Sequence, residues 1–388
     1  ETALRQLHAG GTLLCLDMPT GAEMICDMSG LVCGEKFKGI KMIPPGLHLL
    51  CWDAGHDKHA TFVSFSQSGV ETWTWDARLE DLRLIDDQEQ AERLALAVRE
   101  YKFDSELGKF PDGEYQAWLK LSNMITLETL VRCGIPPRVV MSGGASPNAQ
   151  HVEHAPVAPR FVEICSSRRL AGMSAADISE FNMDGSARLQ RVLAHLSNSW
   201  KELLAELQIG FLLFLLLASF EALEFWKNCV ALLCSCGKML VENAELMSEF
   251  VLVLRRQLEH VPADFFRDEI AKSNFLGPSL ACLLQLVDEH FTMQASEERS
   301  GGLGSVQAKL FKRAKRLREL LQRRFDLVDL DEFALEDEVP TIVENLEIRD
   351  TGQAGEEDGR GASSAVLEGS KVERMPWMLP SDISEKQE

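Results

Sequence analysis

The sequence predicts an α+β protein in which a small β-sandwich-like N-terminal domain, closed by helices, precedes an all-α helical C-terminal domain and a disordered acidic tail. Three observations carry this expectation. Up to about Asp76 the apolar residues fall in short runs separated by turn residues, after Arg160 they recur at helical spacing, and beyond Asp329 acids dominate. The expected divisions are 1–133 for the β-rich domain, 134–159 for a linker, 160–328 for the helical domain and 329–388 for the tail.

The composition sets the bounds. With 388 residues, 45% of them apolar and 26% charged, the chain can bury a real core. Sixty acidic against 40 basic side chains give a formal charge of −20, which repels phosphate backbones over most of the surface. Ten cysteines sit at irregular spacings, several inside apolar runs, and do not form a disulfide framework. A reducing compartment, cytoplasm or nucleus, and no secretory leader are therefore expected. The longest apolar stretch, 209–220, is bracketed by Glu206 and Glu221. It falls short of the roughly 20 residues that span a bilayer, and reads as a helix buried on all sides.

In order along the chain, strands are expected at 13–16, 24–26, 47–52, 62–65 and 70–75, punctuated by Pro-Thr-Gly, Pro-Pro-Gly and Ser-Gly turns. In the last, Trp73 and Trp75 alternate with Thr72 and Thr74 as on a half-buried strand. Helices follow at 87–101, with Leu94, Val98 and Tyr101 on one side, and at 115–131, with Trp118, Leu121 and Ile125. Five prolines and a Gly-Gly pair between 134 and 159 read as an exposed linker. Leu189, Val192, Leu193 and Leu196 open the helical domain, followed by helices at 200–219, 220–236, 244–261, 278–291 and 305–325. Short connections predict successive antiparallel pairs, six or seven helices in all. Within the tail, VPTIVENLEI (339–348) has the β-branched content of a strand that could be donated to a partner sheet, or of a loop packed on its own helical domain.

Candidate catalytic and ligand-binding groups weigh lightly. Gly301, Gly302 and Gly304 lack the lysine and hydroxyl of a phosphate-binding loop, since Lys309 is followed by Leu310. Cys229, Cys234 and Cys236 have no companion pair to complete four metal ligands, and read as small buried hydrophobes. The histidine pairs 56/59 and 151/154 fall in loop-like sequence. The expectation is no enzyme, no cofactor and no metal. Cations concentrate at Lys309, Lys312, Arg313, Lys315, Arg316, Arg318, Arg323 and Arg324, through which Leu310, Ala314, Leu317 and Leu321 run at helical spacing. This is first the wet face of an amphipathic helix, and second the one candidate for RNA contact or nuclear import.

The segment GEKFKGIKMIPPG (34–46) stands apart. Lys36, Lys38 and Lys41 alternate with Phe37, Ile40 and Met42, and Pro44-Pro45-Gly46 is a rigid turn into the next strand. A structural hairpin and a partner-contact surface are both open readings. With LCLDMPTGAEMICD (14–27) before it, the segment resembles the amino-terminal signature of the AAR-two splicing factor family, assembly factors of the U-five small nuclear ribonucleoprotein. FPDGEYQAWLKLSNMIT (110–126), NMDGSARL (182–189), ELQIGFLLFLLLASFEALEFWKNCVALLC (206–234) and RQLEHVPADFFRDEIAKSNFLGPSL (256–280) are similar to later blocks of that family, in the same order. The resemblance covers about 12–325. One departure is that Met24-Ile25-Cys26-Asp27 follow Glu23 where the family carries an aromatic residue with Gly-Ile-Asp; a second lies around Leu217 and Ala218, where the family has a small glycine.

The resemblance implies a β-rich domain, a linker and a helical domain, and a partner: the spliceosomal scaffold protein Prp-eight, held through its RNase H-like and Jab/MPN-like C-terminal domains. Such a factor keeps the helicase partner from binding early, acts during cytoplasmic assembly and leaves in the nucleus. It also implies that a tail segment adds a strand to the partner. The expected contacts are therefore Lys36, Lys38 and Lys41 in the first domain and Val339, Thr341, Ile342 and Val343 in the tail, with direct RNA binding and membrane contact not expected.

Overall fold

A computed structural model describes residues 9–54, 57–143, 156–164, 184–262, 276–297 and 305–325. The expected tail lies outside these residues. Among the described residues the β-rich part carries ten strands: β1 (Gly11–Leu16), β2 (Glu23–Cys26), β3 (Ser29–Val32), β4 (Gly39–Ile43), β5 (Gly46–Ala54), β6 (Asp57–Phe65), β7 (Val70–Asp76), β8 (Asp81–Leu84), β9 (Gly108–Lys109) and β10 (Val140–Ser142). They form two five-stranded sheets, ordered β8-β7-β1-β4-β9 and β10-β6-β5-β2-β3. Leu13, Cys15, Ile40 and Trp73 from the first sheet meet Met24, Cys26, Leu50, Trp52 and Val63 from the second in one apolar cluster. That is the core of a sandwich: alternating side chains of two sheets interdigitate and leave the water together.

Three helices close this layer: α1 (Gln88–Arg99), α2 (Asp112–Ser122) and α3 (Leu127–Arg132). Asp87 caps α1 by accepting from the Gln90 N–H, yet no residue of α1 is fully buried. Tyr101, expected on its apolar side, lies past the helix end at φ 60° and is half exposed. The single helix expected over 115–131 is two. Thr126, in an extended conformation, caps α3 through the Thr129 N–H, and the Met124 N–H goes to Gln208 Oε1 at 2.9 Å. A side-chain cap and a tertiary acceptor here take the place of a turn of helical bonds. Trp73 and Trp75 face the core as expected, but Glu71 and Thr72 are buried too, because β7 is an interior strand covered by α1.

The expected exposed linker is partly core. Ile135 and Met141 are fully buried, β10 pairs with β6, and Arg138 makes a two-pronged ion pair to Glu71 at 2.8 and 3.0 Å. The prolines there end α3 and extend the chain, but an extended chain beside a sheet edge is also what adds a strand.

The helical part contains α4 (Ser186–His195), α5 (Trp200–Leu217), α6 (Phe220–Cys234), α7 (Met239–Glu242), α8 (Ala244–Leu258), α9 (Leu276–Glu297) and α10 (Ser305–Phe325). α5 is buried all round, including Glu206 and Gln208 at 0% exposure. Among the described residues, no helix is long and apolar enough to cross a membrane. α6 returns antiparallel after Ala218, whose φ of 55° reverses the chain, and Ser219 caps it. Phe211, Phe214 and Trp226 pack between the two, and the Trp226 indole donates to Gln257 of α8 at 2.9 Å. α10 buries Leu310, Ala314, Leu317, Leu321 and Phe325 against α8 and α9.

Candidate partner-binding surface

The segment 34–46 is not a hairpin. β4 pairs with β1 and β9 in the first sheet, whereas β5 pairs with β2 and β6 in the second. Pro44 and Pro45 carry no N–H to exchange across a tight turn, so the chain between the strands passes from one sheet to the other. Gly39 has φ 132°, and a Cβ there would meet Leu13 O at 1.9 Å; only glycine lets β4 lie this close to β1.

Two of the three lysines are committed inside the domain. Lys38 Nζ reaches Glu106 at 2.8 Å and lies 5.2 Å from the centre of the Phe103 ring. Lys41 Nζ holds the Asp104 carboxylate at 2.6 Å and its carbonyl at 2.8 Å. Together with the Lys38 N–H to Glu106 O and Phe110 N–H to Lys41 O bonds, they fasten the strand β9 along β4. Lys36 is exposed.

Beneath the crossover lies a buried polar centre that sequence reasoning passed over. His48, fully buried on β5, has Nδ1 2.7 Å from Asp27 Oδ2 and Nε2 2.8 Å from the Pro44 carbonyl. Asp27 Oδ1 accepts the Leu49 N–H at 3.0 Å. Because a carbonyl only accepts, Nε2 carries hydrogen, and one further proton is shared between Nδ1 and the carboxyl, leaving the pair with no net charge. Burial pushes the Asp27 carboxyl up from its ordinary range, and the His48 hydrogen bond only partly offsets that. Cys26 completes a group whose ligand atoms lie within 4.8 Å of one another. Both Asp27 oxygens and both His48 nitrogens are already hydrogen-bonded, and burial holds the Cys26 thiol neutral, so the arrangement works as a clamp on the Pro-Pro crossover rather than as a ligand set. Its signal in the sequence was an Asp ending an apolar run and a His opening the next.

A second buried centre joins the β-rich and helical parts. Glu206 of α5 accepts from Arg132 of α3 and from the Val162 N–H at 2.7 Å, while Arg132 also reaches Glu202 at 2.6 Å. Gln208, two residues on, receives the Met124 N–H and donates to Asn123 at 2.9 Å. Burial raises the Glu206 carboxyl, against the lowering by Val162 and Arg132. Two rigid parts are thus registered by hydrogen bonds that need one exact placement.

Elsewhere the expected chemistry resolves into structure. Cys229, Cys234 and Cys236 are buried free thiols whose burial pushes them far up, which denies them thiolate reactivity. His59 sits 2.9 Å from Asp81, which also takes the Trp52 indole; burial pushes Asp81 up, but those hydrogen bonds hold it below its ordinary value. His56, His151, His154, the glycines 301–304 and the tail contacts Val339, Thr341, Ile342 and Val343 lie outside the described residues. On α10, Arg313 is paired with Glu249, Arg318 with Asp288 and Arg323 with Glu319, and Arg324 donates to Val261 O. Lys309, Lys312, Lys315 and Arg316 are exposed.

Comparison with known proteins places both halves in one context. Residues 9–135 match the family model described as AAR2 N-terminal domain, and residues 161–328 match that described as AAR2 C-terminal repeat region. The chain is 30% identical to Protein AAR2 homolog of Homo sapiens over 322 residues, covering 72% of this chain and 83% of the relative. It is 30% identical to the Macaca fascicularis protein of the same name over the same shares, and 30% identical to that of Caenorhabditis elegans, over 71% of this chain and 85% of the relative. None of these descriptions names an enzymatic activity.

Proposed function

The chain belongs to the AAR2 family, and from that premise we propose that it is a non-enzymatic pre-mRNA splicing factor, an assembly chaperone of the U-five small nuclear ribonucleoprotein. Its partner in this reading is the scaffold Prp-eight, bound through the RNase H-like and Jab/MPN-like domains, and its action is to block premature helicase binding. It works in the cytoplasm and is released in the nucleus. The observation that carries the reading is the match of both family regions, in order, on two parts locked together through Glu206 and Gln208. A rigid two-part surface suits a chaperone that holds two domains of one partner at a fixed spacing, since preorganisation lowers the entropy cost of binding.

Lys38 and Lys41 serve the fold, so Lys36 is the lysine of the three free to project toward a partner. The second contact is Val339, Thr341, Ile342 and Val343, donated as a strand. Capture of the scaffold's C-terminal domains by the full chain, by a chain ending at Glu338 and by Lys36→Glu tests this. Binding by the full chain, weakened at least ten-fold without the tail, is expected. Failure of the full chain to bind would refute the partner. A second reading, RNA binding through 309–324, draws on the four exposed cations of α10; it requires affinity that falls steeply with salt and ignores the scaffold domains.

A further inference from the structure

A groove of about 480 Å³ runs between α9 and α10, lined by Leu284, Asp288, Phe311, Ala314, Lys315 and Arg318 among others. Its floor is apolar: the Phe311 ring, 43% exposed, lies 4.5 Å from that of Phe291. The two carboxylates on its rim are already answered, Asp288 by Arg318 at 2.5 Å and Glu319 by Arg323 at 3.4 Å. Lys315 is not, and Lys312, Arg316 and Lys309 lie successively further round the same helix, all exposed and without an ion pair to any described residue. An apolar trough with Lys315 on its rim, and three further exposed cations beyond that rim on the same helix, fits an acidic segment with apolar side chains between its acids.

The chain supplies one directly after α10. Residues 326–335, DLVDLDEFAL, hold Asp326, Asp329, Asp331 and Glu332 with no base, interleaved with Leu327, Val328, Leu330, Phe333 and Leu335. From Phe325 back to Phe311 is about 21 Å along the helix, and ten extended residues reach about 33 Å, so the segment can run back along the groove. We propose that residues 326–335 occupy the α9/α10 groove of the same molecule, with their acids on Lys312, Lys315 and Arg316 and their apolar side chains on Phe311. The docked segment neutralises the basic face. The inference does not depend on the scaffold reading, and its test omits the scaffold.

Hydrogen exchange over 326–335 is followed in the full chain at low salt, in Lys312→Glu/Lys315→Glu/Arg316→Glu, and in that variant combined with Asp329→Lys/Asp331→Lys/Glu332→Lys. The native chain should exchange there at least about ten-fold slower than an unstructured peptide, the first variant should lose that protection, and the charge-swapped chain should regain it. All six substitutions fall outside the buried core of α10, and protection in α5 and α8 reports that the body stays folded. Random-coil exchange in the native chain, or protection indifferent to the triple variant, would overturn the proposal. So would protection that rises with protein concentration, which assigns the groove to a second copy, or a single-stranded RNA oligonucleotide binding the native and the Asp329→Lys/Asp331→Lys/Glu332→Lys chains equally.

Discussion

Replacing Arg132 by alanine tests whether the junction between the β-rich and helical parts is as tightly specified as its geometry indicates. Glu206 is 0% exposed and Arg132 33% exposed, so the substitution strands a buried carboxylate with the Val162 N–H as its remaining partner. Breaking a fully buried pair costs about 3–5 kcal/mol; with one partner a third exposed to water, about 2–3 kcal/mol is expected. The pH dependence gives the sign. Glu206 has a carboxyl raised above its ordinary value by burial, with Val162 and Arg132 pulling it down. Without Arg132 it rises further. A raised carboxyl favours the folded state below its unfolded pKa and loses that contribution as pH climbs through the folded one, so the deficit of Arg132→Ala should be large at pH 7 and shrink toward pH 4. Urea unfolding at the two pH values, with Glu206→Gln alone and in the Arg132→Ala background, measures it. The neutral amide should recover more than 1 kcal/mol in that background. A deficit below about 1 kcal/mol at pH 7, or no recovery by Glu206→Gln, would refute the argument.

Two further outcomes follow from the same structure. Gly39→Ala puts a Cβ against Leu13 O at 1.9 Å and forces φ 132° on a residue that disfavours it, so the β-rich part should lose its near-ultraviolet tryptophan signal or unfold several degrees earlier, while Gly46→Ala, which meets the same backbone strain at φ 140° but has open space around it, should cost less. Of the nine described cysteines eight are buried, with Cys33 raised to about 11 and Cys51 and Cys133 to about 12 by burial against a reference of 9.0. Raised thiols contribute stability below pH 9 and lose it as pH rises toward the folded values. At pH 10 that loss is about 1.4 kcal/mol for each of these three thiols, about 4 kcal/mol together, a large share of a domain's stability. Alkaline unfolding between about pH 10 and 11, followed by circular dichroism, is expected, and a chain still folded at pH 12 would contradict it.

The helical part was legible because its signal is local. Leu310, Ala314, Leu317 and Leu321 repeat at the period of the helix itself, and 305–325 emerged with those bounds. The strands were legible where apolar residues cluster, at 13–16 and 24–26, and missed at β3, β8, β9 and β10, whose stretches are short and are held in the sheets by backbone pairing. No local pattern marks a strand that exists because a neighbouring edge is open.

The candidate site divides in the same way. Its blocks could be read from the chain because turn and helix chemistry fix which residue types must stand at each place, and their order named the family. What the sequence determined by itself is therefore the class of fold, the helices of the helical part and the family. Only the tertiary structure decided that Pro44-Pro45 carries the chain between sheets, that Lys38 and Lys41 are spent on Glu106 and Asp104, and that Asp27, His48, Arg132 and Glu206 form buried polar centres. The physical reason is range. Propensity and periodicity act over a few residues, whereas Asp27 meets His48 across 21 positions and Arg132 meets Glu206 across 74, and such pairs become favourable only when the whole chain has excluded the water between them.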